Sequence, residues 1–170
     1  VGDDYYGNKI FEEFEKIGVN TKYLQKKTDV PTTSSFIITN TSIGSRTILT
    51  DKKKEMTMGK IDVDDKFDMI VLDGYEKEFA LEVMKKNPKA IKIIDAGSMR
   101  ESTLELARMV DYVVCSHDFA EEFTNKKVDY DDMRTLIEIY DELKKEFSQK
   151  VVITLEDKGC FTYDNGYKLV

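Results

Sequence analysis

From Lys66 onward the sequence alternates short apolar runs with segments of helical spacing, a pattern best absorbed by parallel strands joined by crossover helices. Apolar runs occupy 67–72, 91–94, 112–115 and 151–154. Helical spacing occupies 78–87, 102–109, 116–123 and 131–147. In 78–87, Phe79, Ala80, Val83 and Met84 share a stripe, and Pro88 closes the helix. In 131–147, Met133, Leu136, Ile137, Tyr140, Leu143 and Phe147 share a face. Ser102 and Glu105 have the spacing of a capping box. The runs are apolar throughout, which predicts a sheet covered on both faces. Asn165-Gly166, between 160–163 and 167–170, predicts a closing antiparallel hairpin.

In sheets of this class, ligands bind beyond the carboxyl ends of the strands. Those ends carry Asp73 and Gly74, then 95–98, 116–118 and 154–159. All four are polar, which predicts a binding edge, although loop ends are polar in any protein. Neither Gly-x-x-x-x-Gly-Lys-Ser/Thr nor Gly-x-Gly-x-x-Gly occurs. A nucleotide here would be held by glycine-lined strand ends and backbone amides, with 154–159 the candidate turn. Asp73 can accept hydrogen bonds from sugar hydroxyls, and equally can serve its own turn. His117, the only histidine, reads as a loop residue.

The stretch 31–50 interrupts the alternation. Apolar residues around Phe36 and Ile38, and again at Ile48 and Leu49, flank Asn40, Thr41, Ser42 and Gly44, which predicts a β-hairpin. Arg46 lies in it among apolar neighbours. A guanidinium so placed can reach phosphate or sugar oxygens; the alternative is a plain surface arginine. Before the hairpin, 8–17 reads as a helix with Ile10, Phe11, Phe14 and Ile17 on one face and Gly18 as its terminator. After it, 51–65 reads as loop.

The length, 170 residues, predicts one domain with a core of its own. The net charge of −7, with no clustered basic face, argues against nucleic acid. No apolar run has membrane-spanning length, and no Cys/His cluster has metal spacing. Cys115 and Cys160 sit in or beside apolar runs, which predicts free thiols in a reducing cytoplasm.

Taken in order, V-G-D-D-Y-Y-G, a helix, G-V-N-T, the P-T-T hairpin with G-S-R-T-I, strands ending D-G-Y-E and D-A-G-S-M-R, V-D-Y-V-V-C-S-H-D-F-A-E-E-F, and V-I-T-L-E-D-K-G before a hairpin resemble the ribokinase-like (pfkB-type) carbohydrate kinases. The hairpin is most similar to the ketohexokinase and fructokinase branches, and the resemblance spans nearly the whole chain. It implies a single three-layer α/β/α domain over 1–170 with a mostly parallel central sheet. It implies that 31–50 is a β-hairpin lid over a sugar site and the contact of a homodimer. The implied activity is transfer of the γ-phosphoryl group of ATP to a hydroxyl of a ketose or related sugar, with Mg²⁺ and a monovalent cation. Arg46 matches the lid arginine that reaches the sugar, and Asp73 and Gly74 match the sugar-side strand end. Ser116 falls at the nucleotide-side Asn-x-x-Glu segment. Thr154, Glu156 and Gly159 fall in the Thr-Leu-Gly-x-x-Gly turn.

The same resemblance marks departures. Ser116-His117-Asp118 stands where Asn-x-x-Glu is expected, which leaves the metal ligands unassigned. Glu156 replaces the first glycine of the turn. The family's Gly-Ala-Gly-Asp segment, with its catalytic base, would lie beyond Val170, and the first sugar-binding strand before Val1. The segment alone is therefore expected to be inactive, with no catalytic residue inside it. Two alternatives stand beside the sugar kinase: a non-catalytic sugar- or nucleotide-binding or assembly module on the same fold, and a nucleoside kinase.

Overall fold

A computed structural model describes residues 1–51 and 61–170. They form two compact units, Val1–Val63 and Asp64–Val170. Of the loop expected over 51–65, the part 52–60 lies outside the described residues, and 61–65 carries no regular element.

In the first unit, α1 (Tyr5–Lys16) begins three residues before the expected start at Asn8 because Asp4 caps it. The Asp4 carboxylate accepts from Gly7 N (2.8 Å), from Thr32 N (2.6 Å) and from the Thr32 hydroxyl (2.8 Å). Thr32, which is buried, also accepts from Gly2 N at 2.9 Å. This knot of bonds ties the start of α1 to the residues that lead into the hairpin. The hairpin pairs β1 (Ser34–Thr39) with β2 (Arg46–Asp51), Phe36 opposite Leu49 and Thr39 opposite Arg46. Its turn closes through Asn40 N to Ser45 O and Gly44 N to Asn40 O, with Ser42 N donating to Asn40 Oδ1. Apolar side chains are exposed on both faces of this ribbon: Phe36 at 69 % on one, Ile37 at 55 % on the other.

The bonds from Gly7, then from the Thr32 amide and hydroxyl, hold the Asp4 carboxyl below its usual value of 3.8. A carboxyl depressed on folding stabilises the native state above its unfolded pKa, and that contribution fades as pH falls through the folded value. Asp4→Asn should therefore lower the unfolding midpoint at pH 7. The gap from the parent should close progressively in acid below about pH 4. A gap independent of pH would show that the carboxylate charge has no part in the tie.

The second unit contains β3 (Met69–Leu72), α2 (Lys77–Lys86), β4 (Ile91–Ala96), α3 (Glu101–Ala107), β5 (Tyr112–Ser116), α4 (His117–Thr124), α5 (Met133–Glu146), β6 (Lys150–Thr154), β7 (Cys160–Tyr163) and β8 (Tyr167–Leu169). The sheet order is β3-β4-β5-β6-β7-β8. The first four strands are parallel and the last two antiparallel. The fold is thus α/β with a mostly parallel sheet, and the Asn-Gly hairpin closes it as expected.

Each new parallel strand adds on the same side of the last. Right-handed crossovers then place every connecting helix on one face of the sheet. Burial follows: Ile94, Ala96, Val113, Cys115, Val151, Ile153 and Phe161 are fully buried, whereas Met69, Val71 and Ile91 are 52, 65 and 44 % exposed. Within this unit the cover is one-sided, not two-sided as the unbroken apolar runs imply. Cys115 lies on the covered face, where burial pushes its thiol up to about 12. Both cysteines are free.

Two local expectations need correction. Ser102 and Glu105 do not form a capping box, because α3 starts at Glu101 with Arg100 in the N-cap position, where no side chain makes a cap bond. Ser102 Oγ instead donates to Gly74 O at 2.6 Å, and Glu105 pairs with Lys77 at 3.0 Å, so tertiary partners win over the local motif. In α5 the buried residues are Leu136, Ile139, Tyr140 and Leu143. Met133, the first residue of that helix, is 46 % exposed.

Candidate functional site

Parallel strands point one way, so the carboxyl ends of β3, β4, β5 and β6 share one edge of the second unit. Asp73 and Gly74, Ser116, and Thr154, Glu156 and Gly159 all lie along it. At roughly 4.8 Å per strand, the ends of β3 and β6 stand about 14 Å apart. That width accommodates a small polyol beside a polyphosphate.

Side-chain hydroxyls stitch this edge together. Besides the Ser102 bond to Gly74 O, Ser116 Oγ donates to Gly97 O (3.2 Å) and Thr154 Oγ1 to Cys115 O (3.3 Å). Ser116 also caps α4 by accepting from Phe119 N at 3.1 Å. Asp73 is exposed, and its Oδ1 accepts from Tyr75 N at 3.0 Å, so one carboxylate oxygen closes its own turn. Gly74 has φ +82 and is packed on Thr103.

A cation that sequence reading passed over sits at the same edge. Arg100 lies 4.1 Å from the Tyr75 ring centroid and donates from Nη2 to the Tyr75 hydroxyl at 2.7 Å. The only available signal was position: both residues follow neighbouring strands.

The start of α4 bears on the metal question. Counted from Ser116, the glutamate of Asn-x-x-Glu falls on Phe119, which is fully buried against Phe123 and Phe147 at centroid distances of 6.3 and 6.5 Å. Asp118 is exposed, with His117 Nε2 3.2 Å away. Glu121 is engaged by Lys127 and by Val128 N; burial opposes its ionisation, but these two contacts hold it below the ordinary range. Among the described residues no group of three or more His, Cys, Asp or Glu side chains can hold a metal ion. The described residues do not fit a protein-built Mg²⁺ site.

Beyond β6, a single 3₁₀ turn (Glu156–Lys158) is closed by Leu155 N to Gly159 O (2.8 Å) and Lys158 N to Leu155 O (2.9 Å). Gly159 has φ +90, and a Cβ there would fall 1.9 Å from Val170 O. Glu156 has φ +53, uncommon for a residue other than glycine. It makes no hydrogen bond or ion pair among the described residues.

In the first unit, Arg46 begins β2 and is exposed, without a hydrogen bond or ion pair among the described residues. An open cleft of about 590 Å³ lies between α1 and the start of β1, lined by Tyr6, Ile10, Phe14, Thr32 and Ser35 among others. Its apolar wall is the stripe recognised on α1. The cleft itself was not legible, because it needs 32–35 brought alongside.

A family model described as pfkB family carbohydrate kinase matches residues 1–169. No curated protein matches the sequence. Among solved structures, a fructokinase from Halothermothrix orenii superposes with a TM-score of 0.75 at 16 % identity, covering 100 % of this chain and 66 % of its own. A ribokinase from Giardia lamblia gives 0.74 at 13 %, covering 100 % and 57 %. A fructokinase from Vibrio cholerae, with fructose, ADP and calcium ion bound, gives 0.70 at 16 %, covering 100 % and 60 %. At these identities the likeness shows the fold, a ribokinase-like α/β arrangement, and the chain spans less than two thirds of each of those proteins.

Proposed function

The chain belongs to the pfkB family of carbohydrate kinases, and from that premise we propose that its gene product transfers the γ-phosphoryl group of ATP to a hydroxyl of a small sugar, a ketose or a related sugar. The observation that carries this reading is the family match over 1–169. The strand-end edge of the second unit supports it. In this reading Asp73 and Gly74 face the sugar, while Ser116, Thr154 and Gly159 shape the nucleotide side. The hairpin 31–50 acts as the lid and brings Arg46 to the sugar. Apolar residues exposed on both faces of a two-stranded ribbon call for cover on both. In this reading a second copy of the chain supplies cover for this ribbon, which makes the protein a homodimer. Mg²⁺ would arrive on the nucleotide's phosphates, with a monovalent cation beside it. Phosphoryl transfer depends on positioning and charge stabilisation. What these residues contribute is a rigid, hydroxyl-stitched edge that orients acceptor and donor. No residue of 1–170 is assigned as the base.

No helix among the described residues is long and apolar enough to cross a membrane. A cytoplasmic location accords with two free cysteines.

A coupled assay with fructose, ribose, 2-keto-3-deoxygluconate and inosine, run on the full gene product, tests the proposal. Turnover of a sugar is expected. No turnover on any of the four acceptors would sink the kinase reading. Arg46→Ala in the full product should lower kcat/KM for the sugar about 10- to 100-fold, the worth of a charged hydrogen bond. An unchanged kcat/KM would leave the hairpin as a dimer contact only.

A second reading is a module that binds sugar or nucleotide without turnover. It is favoured by Phe119 lying buried where a carboxylate is expected, and by Glu156 in the turn. Binding in calorimetry with no product in the coupled assay would establish it.

A further inference from the structure

We propose that Glu156 sets the charge selectivity of the nucleotide edge: its unpaired carboxylate disfavours a polyphosphate whose charge is not neutralised by a divalent cation. The proposal rests on reading 154–159 as the nucleotide turn. Its observations concern one residue and its neighbours. Glu156 occupies φ +53, where a glycine would sit without strain. The chain keeps a charged side chain there against that cost, and such outliers gather at functional sites.

Two of the other acids close by are paired with a lysine, Glu121 with Lys127 and Asp157 with Lys158 at 3.6 Å, and Asp118 has His117 Nε2 at 3.2 Å. Glu156 has no such partner among the described residues. The phenol of Tyr130 feels all four carboxylates: it is pushed up by burial first, then by the charges of Glu156, Glu121, Asp118 and Asp157. His117 meets the same ring edge-on at 6.4 Å. The end of β6 therefore presents the unpaired carboxylate of Glu156 beside other carboxylates.

A free triphosphate brought to this turn is repelled. At separations of about 5–10 Å near a protein surface, one such charge weakens binding about three- to tenfold, and salt screens the effect. A divalent cation on the phosphates cancels most of their charge, and with it most of the penalty. A glycine at this position would not discriminate.

The test is calorimetric titration of the full gene product with ATP, in excess EDTA and in excess Mg²⁺, for the parent, Glu156→Gln and Glu156→Gly. Glu156→Gln removes the charge and leaves a side chain at the same φ. It should bind cation-free ATP about three- to tenfold more tightly than the parent. The gain should shrink in excess Mg²⁺ and as salt rises from about 0.05 to 0.5 M. Its melting temperature should not move. Glu156→Gly should show the same gain and in addition melt about 2–4 °C higher, because the strained φ is relieved. Equal affinities of parent and Glu156→Gln for cation-free ATP overturn the proposal and leave the nucleotide turn standing. A gain of the same size with and without Mg²⁺ also overturns it. Failure of all three proteins to bind ATP overturns the turn's assignment together with the proposal.

Discussion

Truncation of Phe119 to alanine should lower the unfolding free energy by about 3–5 kcal/mol, the range for deleting a fully buried aromatic ring. Phe119 has no exposed surface, and its ring joins Phe123 and Phe147, which are themselves 5.4 Å apart. The loss is transfer free energy plus the cavity left among stiff neighbours. Phe119→Leu keeps most of the volume and should cost about 1.5 kcal/mol or less. Chemical denaturation of the three proteins checks the order. The position has a functional edge as well: Phe119 N is the amide that Ser116 caps. Loosening this turn loosens the bond from Ser116 to Gly97 O. A Phe119→Ala protein as stable as its parent would mean that the aromatic cluster does not hold α4.

Gly74→Ala should cost about 2–5 kcal/mol, from two independent sources. The backbone there has φ +82, which penalises any Cβ by about 1–2 kcal/mol. The new methyl would also lie 2.4 Å from Thr103 Oγ1 and 3.1 Å from its Cβ. Thr103 is fully buried, so it has nowhere to retreat, and overpacking adds about 1–3 kcal/mol. Gly74→Ala combined with Thr103→Ala, which removes the oxygen nearest the new methyl, should recover part of the steric share and none of the φ share. A double variant no better than the single would show that contact with Thr103 Oγ1 is not the obstacle.

Much of the fold was legible because the pattern is local. The apolar runs and helical stripes of the second unit reappear as β3 to β6 and α2 to α5, shifted by a residue or two at their ends. Asn165-Gly166 marks the turn between β7 and β8. Asn40 and Gly44 mark the turn of the first hairpin. The candidate edge was legible too, since strand ends follow from strand direction once the strands are parallel. The errors have tertiary causes. Ser102 and Glu105 satisfy a local motif on paper, but Gly74 O and Lys77 offer partners that no local pattern reveals. Arg100 was overlooked because its partner Tyr75 is on the preceding strand's loop.

The sequence by itself determined the elements, their order and the residues at the strand ends, because spacing and turn chemistry act over a few residues. It also carried the family match. Only the tertiary structure decided which face of each strand is covered. Val71 and Ile94 read alike as members of apolar runs, yet one is 65 % exposed and the other fully buried. The reason is handedness: strands that always add on one side, joined by right-handed crossovers, put their helices on a single face. Only the structure, too, gives the two departures from the motifs their physical meaning. Ser116-His117-Asp118 runs into Phe119, a core ring at the position counted for the carboxylate. Glu156 is a charged side chain at φ +53 with no cation partner among the described residues.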